Sequence, residues 1–419
     1  MSFLPGTHGL GGFLPGVGGN AGGGGAGGDA VAAVLIATGQ SLNSTRNTIV
    51  QATTTLGKMP VGGAAIINWQ FSSNNPLHVG HWNELASAVD FTEETMQSPL
   101  VGMIDGIKTA FDQVYAGGIA IGARRLDILH SADPTQNAHA MIWRLCELAR
   151  SDGFTPVVLF YQAHGESNAA DGTSEQSYYE QNIAYLTQLQ AWAAQAMGNP
   201  AYRAPVVLDL PAPGTISGLT YQEVKAAIRR TAADLDNGIF MGGKYHWECE
   251  ADRTHQVANA YVQRGEAAGR LLAQHYLGET VEEALEILSV TWDGATEFVA
   301  TFNHNVARDA AFEDFGTAFT DAPDGFEWYD NGSAITITNL AYSGNTVTGT
   351  LNSTPAGTLE QQELRIASQT HTGSLALWPE NIAGSLVRVD EAGWASSIDP
   401  SYINYRWASP QVFNDVEAA

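Results

Sequence analysis

Gly39-Gln40-Ser41 closes an apolar run that begins at Val31 and reads Val-Ala-Ala-Val-Leu-Ile-Ala-Thr. Open α/β sheets present groups to ligands at the carboxyl ends of their strands, so a serine here is delivered into a crevice. Gly39 permits the tight bend, and backbone N–H groups at the start of a following helix can steady a developing oxyanion. Ser41 by itself reads more commonly as an ordinary helix N-cap. A serine hydroxyl is a poor nucleophile until a base takes its proton. Asp252 and His255, three residues apart in Asp-Arg-Thr-His, could supply the base and the carboxylate that holds its tautomer. Their plainer reading is a capping aspartate and a surface histidine. A third stretch, Pro156 to Asn168, again runs from an apolar strand into a polar loop, His164-Gly165-Glu166-Ser167-Asn168. The Asn168 amide suits an oxyanion donor, and His164 and Glu166 suit loop anchors. An ordinary polar strand-to-helix loop reads the same way.

His246, Cys249, Asp252 and His255 recur every third residue and invite a metal reading. The spacing matches no zinc pattern, and catalytic metals need a defined three-ligand geometry, so no metal or other cofactor is expected.

The elements that would position these residues alternate. Val31–Thr38, Ala64–Trp69, Ile119–Leu129, Pro156–Tyr161, Val206–Leu210 and Gly238–Met241 are short and apolar on both faces, as strands of a helix-covered parallel sheet are. Between them, Ser98–Val114, Ala138–Arg150, Ser174–Met197, Tyr221–Leu235 and Thr254–Tyr276 carry helical periodicity, with Thr220 and Glu223 as a capping box before the fourth. This predicts a doubly wound α/β domain over residues 30–280. Past residue 285 the helical period vanishes. Leu288–Val290, Phe298–Phe302, Ala334–Asn339, Thr346–Leu351 and Leu364–Ala367 read as strands of a small all-β, sandwich-like domain, 285–419, ending in a loose wrap from Tyr402. Residues 1–29 are glycine-dominated and repeat Phe-Leu-Pro-Gly at Phe3 and Phe13, which suits a flexible leader or an anchor ordered only in an assembly.

Composition narrows the partners. The 19 Lys plus Arg against 44 Asp plus Glu give a formal charge of −25, which excludes nucleic acid and docking on an anionic membrane surface. No apolar run reaches the length of a bilayer span, and Met1–Asp29 lacks the basic start and apolar core of a secretory signal. An extracellular or virion-associated setting suits the acidic surface better than the cytoplasm. Cys146 and Cys249 are too few for a disulfide scaffold and leave one bridge, two thiols or a ligand role open.

Taken together in chain order, the three stretches resemble the signature blocks of the SGNH (GDSL-like) hydrolases, in the branch of the sialate O-acetylesterases and acetylxylan-esterase-like enzymes. That branch reads G-Q-S-N, Q-G-E-S-N and D-x-x-H. Here the blocks stand as Gly39-Gln-Ser-Leu, His164-Gly-Glu-Ser-Asn and Asp252-Arg-Thr-His, and the resemblance spans Val31 to Gly278, about 60 % of the chain. It implies a flavodoxin-like three-layer α/β/α fold and removal of O-acyl groups, often acetyl, from carbohydrate. Ser41 resembles the nucleophile, His255 the base and Asp252 its orienting acid. The Ser41 N–H and the Asn168 side chain resemble oxyanion donors, with Gln40, His164, Gly165 and Glu166 in supporting positions. Leu42 and His164 depart from the usual Asn and Gln. The segment Ser131–Gln136 lacks the glycines of the family's third-donor loop, which leaves a backbone N–H such as that of Thr135 for the task. The expected partner is an acylated polysaccharide or oligosaccharide, with Trp69, Tyr161 and Trp247 as aromatics that stack on sugar or pack in the core. The alternative is a glycan-binding virion, tail or surface appendage protein with a hydrolase-like domain, assembled as a homo-oligomer or into a virion through the leader or the β domain.

Overall fold

The computed structural model describes residues 30–39, 53–60, 88–92, 98–120, 125–129, 132–211, 222–247, 255–309, 323–367 and 385–419. The glycine-rich leader, Ala64–Trp69 and Thr220 lie outside them.

The first seven strands are β1 (Val31–Gly39), β2 (Thr53–Pro60), β3 (Ala88–Thr92), β4 (Gln113–Ala120), β5 (Thr155–Ala163), β6 (Val206–Asp209) and β7 (Gly238–Gly242). They form one sheet in the order β3-β2-β4-β1-β5-β6-β7. All pairings are parallel except that of edge strand β3 with β2. The helices are α1 (Pro99–Ile107), α2 (Leu126–Leu129), α3 (Ala132–Ser151), α4 (Glu166–Ala170), α5 (Glu175–Met197), α6 (Gln222–Asp234) and α7 (Ala258–Leu277).

Even-numbered β1 residues Val34 and Ile36 pack with Met141, Leu145, Leu186, Leu189 and Ile228 of α3, α5 and α6. Odd-numbered Ala33, Leu35 and Ala37 pack with Met103 and Ile104 of α1 and Ala268, Leu271 and Leu272 of α7. Alternate side chains of one strand thus enter two separate cores, and the result is a three-layer α/β/α sandwich.

The second face is closed by a backbone-to-backbone helix contact. A Cβ on Gly102 would lie 2.0 Å from the Val262 carbonyl oxygen, one on Gly265 2.0 Å from that of Pro99, and one on Gly269 2.4 Å from that of Met103. Glycine at these positions lets α1 and α7 approach closer than any side chain would allow.

Two elements differ from expectation. The stretch Ile119–Leu129 is not one strand: β4 ends at Ala120 and Leu126–Leu129 is a helical turn. The helix expected over Ser98–Val114 stops at Ile107, because Gln113 already pairs with Ala32 in the sheet. Gly117 explains the misreading. It looks like a strand breaker, yet a Cβ there would meet Met141 Sδ at 2.6 Å, so the glycine lets the Met141 side chain of α3 pack against the strand.

The C-terminal strands build a sandwich. One sheet runs Ile337–Ser343, Thr346–Leu351, Glu297–Phe302, Ile287–Trp292, Val416–Ala418, and the other Ser333–Ile335, Phe326–Asp330, Gln362–Ile366, Gln411–Phe413. Phe298 of the first stacks on Trp328 of the second at 5.0 Å, inside a core with Val290, Phe302, Phe326, Leu364 and Ile366. The stretch from Tyr402 is more than a loose wrap, since Gln411–Phe413 and Val416–Ala418 each complete a sheet. It also returns to the first unit. Tyr245 donates to the Ala408 carbonyl at 2.8 Å and Arg229 to that of Pro410 at 2.8 Å. Among the described residues no helix is long and apolar enough to cross a membrane.

Candidate active site

The strands that carry the candidate residues end level. Gly39 pairs with Ala163, Ala163 with Asp209 and Asp209 with Gly242. The chain leaves β1, β5 and β7 through glycines held at positive φ, Gly39 at 135°, Gly165 at 143° and Gly242 at 94°. Such backbone angles suit glycine and turn the chain sharply out of the sheet. Ser41 and Gln40 follow two residues or fewer after Gly39 but lie outside the described residues, as do Leu42, Cys249 and Asp252. His255 is described. It is 4 % exposed and stands three residues before α7.

On the second segment, Asn168 sits in α4 and is 1 % exposed. Its Oδ1 accepts from the Leu126 N–H at 2.9 Å, which fixes which end of the amide is which. Nδ2 makes two long contacts, 3.3 Å to Thr173 Oγ1 and 3.4 Å to Gln181 Oε1. As an oxyanion donor it would give up one of these weak bonds, a small loss beside a charge-assisted one. Gly165 has no room for a side chain, since a Cβ would meet Val224 Cγ1 at 2.8 Å. His164 is fully buried, with Nδ1 2.9 Å from the Tyr178 hydroxyl and the two rings stacked. It ties the loop to α5, as Thr38 does for the end of β1 through the Tyr185 hydroxyl at 2.5 Å. Burial drives the Tyr178 phenol well above its ordinary range, with Glu166 adding to the shift.

Sequence reasoning missed a buried ionic cluster beneath this edge. Asp209 Oδ2, at the end of β6, accepts from the Tyr161 hydroxyl at 2.6 Å and lies 3.5 Å from Lys244 Nζ and 3.6 Å from Arg264 Nε. Lys244 Nζ also stands 3.8 Å from Glu166 Oε1. Arg264 donates from Nη1 to Gln256 Oε1 at 2.8 Å and lies against the Tyr261 ring. Every member of the cluster is nearly or wholly buried. Burial lowers the Lys244 amine, and Asp209 and Glu166 oppose that shift. Lys225 on α6, 2 % exposed, is pushed down to about 7 by burial, with Arg229 adding and Glu166 opposing.

One signal was available: the chain has only four lysines, and two of them lie in this edge. Tyr161 and Trp247, read as aromatics that either stack on sugar or pack, are 0 % and 2 % exposed and pack. Trp69 lies outside the described residues. His246 is buried under Trp247 and Trp407 and held neutral, its imidazole lowered to about 3 by desolvation. Cys146 lies in the α3 core as a free thiol, pushed up to about 12 by burial.

No family model matches the chain, and no curated protein matches it. Among solved structures, a carbohydrate acetylesterase from Xanthomonas citri is similar over 92 % of this chain and 80 % of its own, at 14 % identity and a TM-score of 0.54. That likeness shows a shared fold. NanS is similar over 60 % of this chain and 99 % of its own, at 12 % identity and a TM-score of 0.38. A protein from Arabidopsis thaliana is similar over 59 % and 98 %, at 17 % identity and a TM-score of 0.38.

Proposed function

We propose that the protein is a serine ester hydrolase that removes O-acyl groups, acetyl foremost, from carbohydrate. The observation that supports the reading is the common line on which β1, β5, β6 and β7 end, since the ends of β1, β5 and β7 precede Ser41 by two residues, Asn168 by five and His255 by thirteen. The fold shared with a carbohydrate acetylesterase supports it, as do the three sequence blocks.

In this reading His255 takes the Ser41 proton as the hydroxyl oxygen attacks the ester carbonyl. Asp252 holds the imidazole in the productive tautomer. The Ser41 N–H and the Asn168 amide carry the oxyanion, with a backbone N–H near Thr135 as the third donor. His255 returns the proton to the departing sugar hydroxyl, and water, activated by the same imidazole, releases the acid from the serine. The substrate is an acylated polysaccharide or oligosaccharide. Residues 30–280 form the hydrolase unit, 285–419 the β-rich unit and 1–29 a glycine-rich leader or anchor, and assembly as a homo-oligomer or on a virion would run through the leader or the β-rich unit.

Hydrolysis of an aryl acetate and of acetylated xylan by the full chain is the test. Ser41→Ala is expected to lower kcat by several orders of magnitude at unchanged fold. Equal rates for the two proteins reject the proposal. A fluorophosphonate that labels the native chain at Ser41 separates an enzyme from a glycan-binding relic of the fold, which it would leave unlabelled.

A further inference from the structure

We infer that Asp209 is a positioning residue for the base: through Arg264 and Gln256 it fixes the backbone beside His255, and through Lys244 and Glu166 it couples that segment to the helix carrying Asn168. The inference rests on His255 acting as the base. Asp209 is suited to the task by its place. It is the last residue of β6, level with Ala163 on one side and Gly242 on the other. From there one carboxylate oxygen meets Tyr161 from β5, Lys244 from beyond β7 and Arg264 from α7. Arg264 then reaches back past the start of α7 to the side chain of Gln256, the neighbour of His255. Lys244 reaches the other way to Glu166 at the first turn of α4.

Stability alone does not explain such a cluster. Burying Asp209, Glu166, Lys244 and Arg264 carries a desolvation cost that their mutual attraction barely offsets, and apolar side chains of similar volume commonly serve a core at least as well. What apolar groups cannot do is fix direction. The Asp209 charge stands 3.6 Å from Arg264 Nε and draws the guanidinium toward it, and the guanidinium holds Gln256 by a 2.8 Å hydrogen bond whose partners are all out of water. Displacement of a catalytic group by about 1 Å can cost about 100-fold in rate, so a network with this reach acts on the reaction without touching the substrate.

Asp209→Asn in the full chain keeps the volume and leaves Lys244 and Arg264 without their shared counter-charge. The expected result is a kcat lower by about 100-fold with KM changed less than about threefold, together with amide exchange at Gln256 and Val257 faster by about tenfold or more. Leu189→Ala, in the α5 core away from the edge, is the control for simple destabilisation and leaves kcat as it was. If Asp209→Asn retains kcat and native exchange, or loses no more kcat than Leu189→Ala at equal thermal midpoint, the inference is overturned. Should Asp209→Asn fail to fold, Gln256→Ala replaces it, since that change cuts the link to His255 and leaves all four charges paired. It is held to the same kcat, KM and exchange criteria. If native protein and Ser41→Ala turn out equal in rate, the esterase reading has failed, and exchange at Gln256 alone decides whether Asp209 orders this segment.

Discussion

Two lysine amines sit where lysine is seldom found, and their titration should be visible in the stability of the whole protein. Lys225 titrates near 7 in the folded chain because burial disfavours its charge, against an ordinary 10.5 when unfolded. Between those values the unfolded state holds one more proton than the folded state, so stability rises with pH across that window. Below pH 7 both states are protonated, and the cost of the buried charge is present in full. Lys225→Met removes that cost. It is expected to stabilise the protein at pH 6 by up to a few kcal/mol and to flatten the rise between pH 7 and 10, as measured by urea unfolding at pH 6, 8 and 10. A variant with the native slope would show that Lys225 is not the source. Asp209 shows why such residues escape a reading of sequence. It appears as one acid closing an apolar strand, and its partners Tyr161, Lys244 and Arg264 lie 35 residues or more away along the chain. Nothing local marks a residue whose role is to meet three other elements. Asn168 and His255 could be singled out as candidates because their own neighbours, a strand end and a helix start, are local features.

At the scale of elements, the contact between α1 and α7 fixes the helix that follows His255, the residue proposed as the base. Gly265 has the Pro99 carbonyl oxygen 2.0 Å from where a Cβ would stand, and the obstacle is backbone on a packed helix, with no flexible side chain to yield. Gly265→Ala is therefore expected to push α7 off α1 at a cost of about 2 kcal/mol or more and to lower kcat as well. Thermal melting and aryl acetate turnover measured together check both effects. Gly153→Ala, with no atom within 4 Å, has only its positive φ to oppose it and should cost about 1 kcal/mol and spare turnover. The same elements show the limits of pattern reading. Strand β1 is plain because both of its faces are apolar, and α5 because Ser174 caps it, accepting from the Ser177 N–H at 3.3 Å. Strand β4 is hidden because Gly117 and Gly118 interrupt its apolar pattern, and strand β2 because Thr53–Pro60 reads as a polar run with a lysine.

For the whole molecule, the C-terminal strands do two jobs at once. Val416–Ala418 and Gln411–Phe413 complete the two sheets of the sandwich, while Ala408 and Pro410 receive hydrogen bonds from Tyr245 and Arg229 of the α/β unit. Ser397 adds a backbone N–H to Glu266 of α7 at 2.8 Å, and Tyr402 donates to the His246 carbonyl at 3.1 Å. Removing residues 402–419 is expected to lower the melting temperature by on the order of 10 °C and to speed amide exchange at Lys244–Trp247, with calorimetry and hydrogen exchange as the measurements. A truncated chain that melts like the full one would show that the tail merely decorates the surface.

Level strand ends also impose a distance. Neighbouring strands stand about 4.8 Å apart, so the exits of β1 and β7, three strands apart in the sheet, begin roughly 14 Å from one another. A hydroxyl launched from the first and an imidazole that follows the second can meet only if the dozen residues from Gly243 to Thr254 run back across the rim. In the proposed reaction the length of that stretch is thereby part of the chemistry. Shortening it would strand the proton acceptor on the wrong side of the crevice even with every named side chain still present.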